Sequence, residues 1–183
     1  MPDHLAAVAD PVLSPVPSLA AGYEGLQLPA AVLLDNIRSM YKGGAFFRAA
    51  DGVGLEKLCL CGITAHPPKK AISKTALGAE EVVAWGQDWD AVRMAEGLRR
   101  KGFEIAAIET SLHSVDLFEW QPTFPVCVAF GNEVERPAGL DSPRFPPSVS
   151  VCLTVQTCTR INQNDFGSIF LVLHAETFRR GTT

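Results

Sequence analysis

The sequence predicts an α/β fold, a mainly parallel sheet flanked by helices, and three observations carry that expectation. Short apolar runs alternate along the chain with helix-like segments, from "AAVLLDN" through "KLCLCGI" and "FEIAAIE" to "FPVCVAF". Alternation of this kind builds parallel sheets, because each parallel pair needs a crossover that a helix usually supplies. The runs are apolar enough for buried strands, and they end in polar residues or glycine. At 183 residues the chain fits one domain and can bury roughly two-thirds of its unfolded surface.

Taken in order, residues 31–36 read as the first buried strand, and "GGAFFRAADGVG" after it as a helix closed by glycines. Residues 57–63 read as the second strand, followed by a loop rich in proline and lysine. "EVVAW", 81–85, is expected as a third strand. Asp88 is then expected to cap a helix with Trp89, Val92 and Leu98 on one face, closed at Gly102, where a helix end favours positive φ. Residues 103–109 and 124–130 are two further strands, with a short helix expected around Val115 to Phe118. In such sheets ligands bind outside the carboxyl ends of the strands. That directs attention to Asp35 and Asn36, Glu109 to Ser111, and Gly131 to Glu133.

Composition narrows the function. No run approaches the ~18 apolar residues of a membrane span. The start, residues 1–27, is proline-rich and lacks a basic n-region, so it reads as a flexible leader rather than a secretory signal. Five cysteines without a secreted spacing point to free thiols and a cytoplasmic location. Cys59 and Cys61 fall on one face of one strand with no second ligand pair nearby, so no metal site is expected. The formal charge of −4 excludes a generally basic nucleic-acid binder but leaves local patches at Lys69, Lys70 and Lys74 and at Arg99 to Lys101. The same patches suit a solvated loop and a polar helix end equally well.

Motifs exclude more than they assign. "GVGLEK" lacks the third glycine of a dinucleotide fingerprint and follows a helix rather than a strand. P-loop, G-x-S-x-G and H-E-x-x-H patterns are absent, and the four histidines are isolated in sequence. "FGNEVE", 130–135, offers close backbone approach to a ligand, exposed N–H groups and a carboxylate. A plain strand-end turn with a solvated acid would have the same sequence.

Taken together, "LLDNIRSMYKGGAFFRAADGVG", "KLCLCGITAHPPKKAISKTALGAEEVV" and "VAFGNEVE" resemble the SpoU (TrmH) family of RNA ribose 2′-O-methyltransferases, of the SPOUT class. The resemblance runs from about residue 31 to 135. It implies a C-terminal trefoil knot, a homodimer, bound S-adenosylmethionine, and a tRNA or rRNA substrate. On the family's first motif fall Asn36, Gly44 and Arg48, with Lys42 in place of its second Asn; on the second fall Gly131, Asn132 and Glu133, with Arg136 in place of the following Gly. The implied catalytic residues are Arg48, Asn36 and Glu133, and Thr110 is placed beside the cofactor. Arg38, Lys69, Lys70 and Lys74 are the RNA-binding candidates. An arginine is a poor base, so Arg48 is assigned to phosphate binding and stabilisation of developing negative charge.

The family's third motif, which wraps the cofactor, is not matched cleanly, and 143–183 diverges from the family within a methyltransferase domain spanning 28–183. "VSVCLTV" still reads as a strand, and Phe166, Ile169, Val172 and Leu173 still make an apolar helix face. Laying "RIN", 160–162, on the motif adds Val151, Leu153 and Asn162 to the cofactor set with Gly131 and Asn132. The alternative is a catalytically impaired SPOUT-fold module that binds RNA or dimerises, its cofactor pocket damaged.

Overall fold

The computed structural model describes residues 12–13, 27–108, 115–131 and 149–152, together with the helical residues Ile169, Leu173 and Ala175. Among the described residues, eight strands form one sheet: β1 (Val12–Leu13), β2 (Leu28–Asp35), β3 (Leu55–Cys61), β4 (Trp85–Asp88), β5 (Glu104–Ile108), β6 (Val115–Asp116), β7 (Val126–Phe130) and β8 (Val149–Cys152). Among the described residues, four helices stand between them: α1 (Met40–Gly52), α2 (Lys70–Ala76), α3 (Ala79–Val82) and α4 (Ala91–Arg100), with Ile169, Leu173 and Ala175 helical beyond β8. The spatial order is β1-β4-β3-β2-β7-β5-β8-β6. Every pairing is parallel except that of β1 with β4, which closes one edge. The mainly parallel α/β sheet expected from the sequence is therefore the fold.

β2 lies between β3 and β7 and is buried on both faces, which is why "AAVLL" carries no alternation. Ala30, Val32 and Leu34 point into a large core with Phe46 and Phe47 of α1, Ile72 of α2, Val126, Val128 and Phe130 of β7, and Ile169 and Leu173. Ala31 and Leu33 point the other way, into a smaller core with Cys59, Cys61, Cys127 and the Ala91, Met94, Ala95 and Leu98 stripe of α4. Helices thus cover both faces of the sheet.

Three local expectations are corrected. Residues 81–85 are not a strand: Gly78, at φ +94°, opens α3, Glu80 Oε2 accepts from the Gly78 N–H at 3.0 Å, and the strand begins only at Trp85. The short, polar "WGQD" is a strand because β3 and β1 pair with it on both sides. Asp88 does not cap α4. Asp90 does, accepting from Val92 N at 2.9 Å and Arg93 N at 3.4 Å, while Trp89 lies outside the helix and is 76% exposed. Around Val115 there is no helix but β6 and a turn, held by the Phe118 N–H donating to Asp116 Oδ1 at 2.8 Å. The expected glycine ending is present at Gly102, φ +90°, where the Phe103 N–H reaches the Leu98 carbonyl at 3.1 Å. Within the expected leader, Val12–Leu13 is the paired strand β1.

α1 is capped by Ser39, whose hydroxyl accepts from Lys42 N at 3.3 Å. It meets α2 at Gly44. A Cβ there would collide with the Thr75 hydroxyl and the Ile72 carbonyl oxygen and stand 3.1 Å from Ala76 N. The Thr75 hydroxyl shares its proton between the Tyr41 carbonyl at 3.1 Å and the Ile72 carbonyl at 3.2 Å, stitching the two helices where the glycine lets them touch. Gly44→Ala forces backbone to move, so it is expected to destabilise the protein by about 1–3 kcal/mol. Gly52→Ala, with no atom of the described residues within 4 Å of the new Cβ, is expected to change stability by less than ~1 kcal/mol. Urea denaturation of both variants checks the pair.

Candidate functional site

The chain leaves β2 in one direction to build β3 and β4 and later returns on the other side to build β5, β7 and β8, so strand order reverses between β2 and β7. A crevice outside the carboxyl ends of the strands is expected at such a reversal. Asp35 and Asn36 follow β2, and Gly131 follows β7. Phe46 of α1 packs edge-on against Phe130, ring centroids 5.2 Å apart, which holds the middle of α1 against the end of β7.

Asn36 is the most constrained residue of this edge. Its backbone is left-handed, φ +55°, a conformation Asn tolerates better than most residues. Its N–H donates to the Cys61 carbonyl at 3.2 Å, its Oδ1 accepts from Ile63 N at 3.2 Å, and its Nδ2 donates to Asp35 Oδ1 at 2.9 Å. Gly62, itself at φ +60°, is required beneath it, since a Cβ there would overlap the Asn36 carboxamide. Thr64 completes the lock: its buried hydroxyl donates to the Leu34 carbonyl and accepts from Ile37 N, both at 3.0 Å. The Gly62 N–H also donates to the Asp88 carbonyl at 3.0 Å, so the ends of three strands are laced together. Sequence reasoning missed Thr64 and Gly62; their signal was only a small and a hydroxylated residue directly after a strand.

Arg48 lies two residues beyond Phe46 on α1 and is exposed, its side chain making no hydrogen bond or ion pair among the described residues. Lys69, Lys70 and Lys74 are exposed on and beside α2, the helix that Gly44 seats against α1. Arg38 is exposed on the β2–α1 connection. Gly131 is half-buried, and among the described residues no atom lies within 4 Å of where a Cβ would stand. Ile108 pairs with Phe130 on one side and Val151 on the other, so the carboxyl ends of β5, β7 and β8 lie side by side. Val151 is in β8. Glu109, Thr110, Ser111, Asn132, Glu133, Arg136, Leu153 and Asn162 lie outside the described residues, as does the path of any knot.

Cys59 and Cys61 do share one face, with Cys127 on that same side of the sheet, and all three are free and buried. Burial pushes the Cys59 thiol up to about 12, and raises Cys61 and Cys127 as well. Among the described residues no group of three or more His, Cys, Asp or Glu is arranged to hold a metal ion. No described helix is long and apolar enough to cross a membrane.

The family model described as SpoU rRNA Methylase family matches residues 29–139. No curated protein sequence matches the chain. Among solved structures, the chain is similar to the A. aeolicus TrmH/SpoU tRNA modifying enzyme, with a TM-score of 0.71 and 20% identity over 85% of this chain and 78% of that one. It is also similar to the SpoU methyltransferase AviRb of Streptomyces viridochromogenes, solved with the cofactor AdoMet, at a TM-score of 0.60, 19% identity, and 84% and 61% coverage. The AdoMet-bound rRNA methyltransferase of Sinorhizobium meliloti gives a TM-score of 0.64, 20% identity, and 80% and 56% coverage. The chain spans less than two-thirds of the length of the latter two proteins. At these identities the likeness is one of fold.

Asn36→Ala removes the hydrogen bond to Ile63 and strains a left-handed residue, so a loss of about 1–3 kcal/mol is expected in urea denaturation, with Asn36→Gly losing less. The buried thiols set a pH dependence. The folded state keeps protons that unfolded cysteines release above about pH 8.5. Their contribution is therefore complete below that pH and is lost as pH rises towards 12 and beyond, by up to ~1.4 kcal/mol per thiol for each pH unit. Urea midpoints measured between pH 8 and pH 10.5 should fall more steeply for this chain than for a variant with Cys59, Cys61 and Cys127 replaced by Ala.

Proposed function

The chain belongs to the SpoU rRNA Methylase family, and from that premise we propose that it is an S-adenosylmethionine-dependent methyltransferase acting on the ribose 2′-hydroxyl of tRNA or rRNA, as a cytoplasmic homodimer. The observation that carries this reading is the reversal of strand order between β2 and β7, with motif residues Asn36 and Gly131 at the strand ends that border it.

The residues fit the cofactor. Among the described residues no atom lies within 4 Å of where a Gly131 Cβ would stand, and the carboxyl ends of β5, β7 and β8 stand side by side, which gives one edge where a single ligand can meet all three strands. The sequence motifs nominate Thr110, Asn132 and Asn162, whose hydroxyl and carboxamide groups are chemically suited to a ribose and an adenine edge, together with the apolar Val151 and Leu153. S-adenosylmethionine, when bound, supplies an electrophilic methyl group on a sulfonium. The protein must hold the 2′-oxygen in line with that carbon and accommodate the charge that develops as its proton leaves. The exposed Arg48 guanidinium suits a phosphate oxygen and the developing alkoxide. Asn36 serves by fixing the turn beside the ribose, and Glu133 by shaping the loop after β7. Lys69, Lys70 and Lys74, with Arg38, provide phosphate contacts on the flanking surface.

The C-terminal departure from the family motif is compatible with this reading. β8 is paired in register with β5 and β6, and Ile169 and Leu173 are buried in the main core, so this segment still builds the domain.

Titration calorimetry with S-adenosylmethionine and S-adenosylhomocysteine should show saturable binding of one ligand per subunit. Transfer of labelled methyl to tRNA or rRNA, followed by nuclease digestion, should yield 2′-O-methyl nucleosides. Arg48→Ala should lower kcat by about 10²–10³-fold while leaving cofactor affinity intact. Folded protein that takes up no cofactor at millimolar concentration would leave the RNA-binding module instead.

A further inference from the structure

We propose that Trp89 is a stacking platform for an unpaired RNA base next to the nucleotide that is modified; this rests on the RNA methyltransferase reading above. Trp89 is 76% exposed, the most exposed of the large apolar side chains among the described residues. Tryptophan is highly buried on average, and it is enriched where a partner covers it. Here nothing in the fold needs it outside, since α4 already has a complete apolar stripe without it.

The residue is held on a rigid turn. The Asp88 carbonyl accepts from Gly62 N at 3.0 Å, Asp88 Oδ1 accepts from Asp90 N at 3.0 Å, and Asp90 Oδ1 caps α4 through Val92 N and Arg93 N. Arg93 clamps the buried Asp88 carboxylate, Nε at 2.9 Å and NH2 at 2.6 Å from Oδ2. Both residues flanking the indole are thus tied down, and a preformed aromatic surface loses little freedom on binding.

Its surroundings select the occupant. The Gly62–Asp88 bond places the β3–α2 connection against this turn, and Ile63, the next residue, is 51% exposed. The same connection carries exposed Lys69 and leads to exposed Lys70, while the Arg93 charge is spent on Asp88. Asp90, the facing acid, is turned onto the α4 N–H groups. An apolar plate with cations close by in the chain suits a base whose phosphates lie to the side, the arrangement by which unstacked RNA bases are held. Trp89 stands at the carboxyl edge of the sheet, directly after β4, the second strand from β2, about 10 Å across at ordinary strand spacing. That span matches a base one or two nucleotides from a ribose beside Asn36.

The test compares wild type, Trp89→Ala and Trp89→Phe by fluorescence polarisation with labelled total tRNA and with fragmented ribosomal RNA. Heparin serves as a polyanion without bases, and sedimentation velocity follows oligomeric state. Trp89→Ala should weaken RNA binding by roughly 5- to 150-fold, Trp89→Phe should retain most of the affinity, and heparin binding should be unchanged. Equal RNA affinity in wild type and Trp89→Ala, with methyl transfer intact, would overturn the platform and leave the methyltransferase standing. An equal loss of heparin affinity, or a change of oligomeric state in Trp89→Ala, would overturn it in favour of a structural role or a contact between copies. Wild type that binds neither RNA would overturn both readings.

Discussion

Parallel pairing of β2 with β3 on one side and β7 on the other is the constraint on which the rest of the molecule depends. Because β2 is buried on both faces, its alternate residues must satisfy two different cores, one with α1 and α2 and one with α4. A slip of one residue would exchange Val32 and Leu34 for Ala31 and Leu33 between layers of unequal depth. The registers Leu34↔Leu60 and Leu34↔Phe130 then bring the carboxyl ends of three strands level. The reversal of strand order, where a ligand is expected, follows from that pairing and not from any one functional residue.

Built on that edge, the Asn36 turn shows how a motif residue earns its place through backbone geometry. Its side chain is committed to Ile63 and Asp35, Gly62 is needed so that it can fit, and Thr64 closes the gap between the β2 end and the next residue. Gly44, another motif position, acts in the same way at a distance. It lets α2 touch α1, and so fixes the exposed lysines of α2 relative to Arg48. Two positions of a motif associated with chemistry thus have structural reasons to be what they are.

Tolerance in the C-terminal segment follows from what burial requires. A strand that pairs through its backbone needs only residues compatible with a pleat, and "VSVC" meets that condition beside β5. A helix contributing to a core needs apolar residues a turn apart, and Ile169 and Leu173 are both fully buried. A segment whose sequence departs from the family's can therefore still build the fold, because strand pairing and core burial need only a pleat-compatible backbone and apolar residues a turn apart.

The sequence by itself determined the fold class and the main elements, because both rest on local pattern: continuous apolar runs for strands buried on two faces, and glycine at helix ends such as Gly102. It also carried the family, through Asn36, Gly44, Arg48 and Gly131 to Glu133. Only the tertiary structure decided that "WGQD" is a strand while 79–82 is helical, since a short polar strand is stabilised by neighbours on both sides rather than by its own residues. It likewise decided that Asp90 rather than Asp88 caps α4, that Trp89 faces outward, and that Gly62 and Thr64 hold Asn36. Each of these depends on a contact between residues distant in sequence or on a turn of one residue more or less, and neither leaves a trace in hydrophobic periodicity.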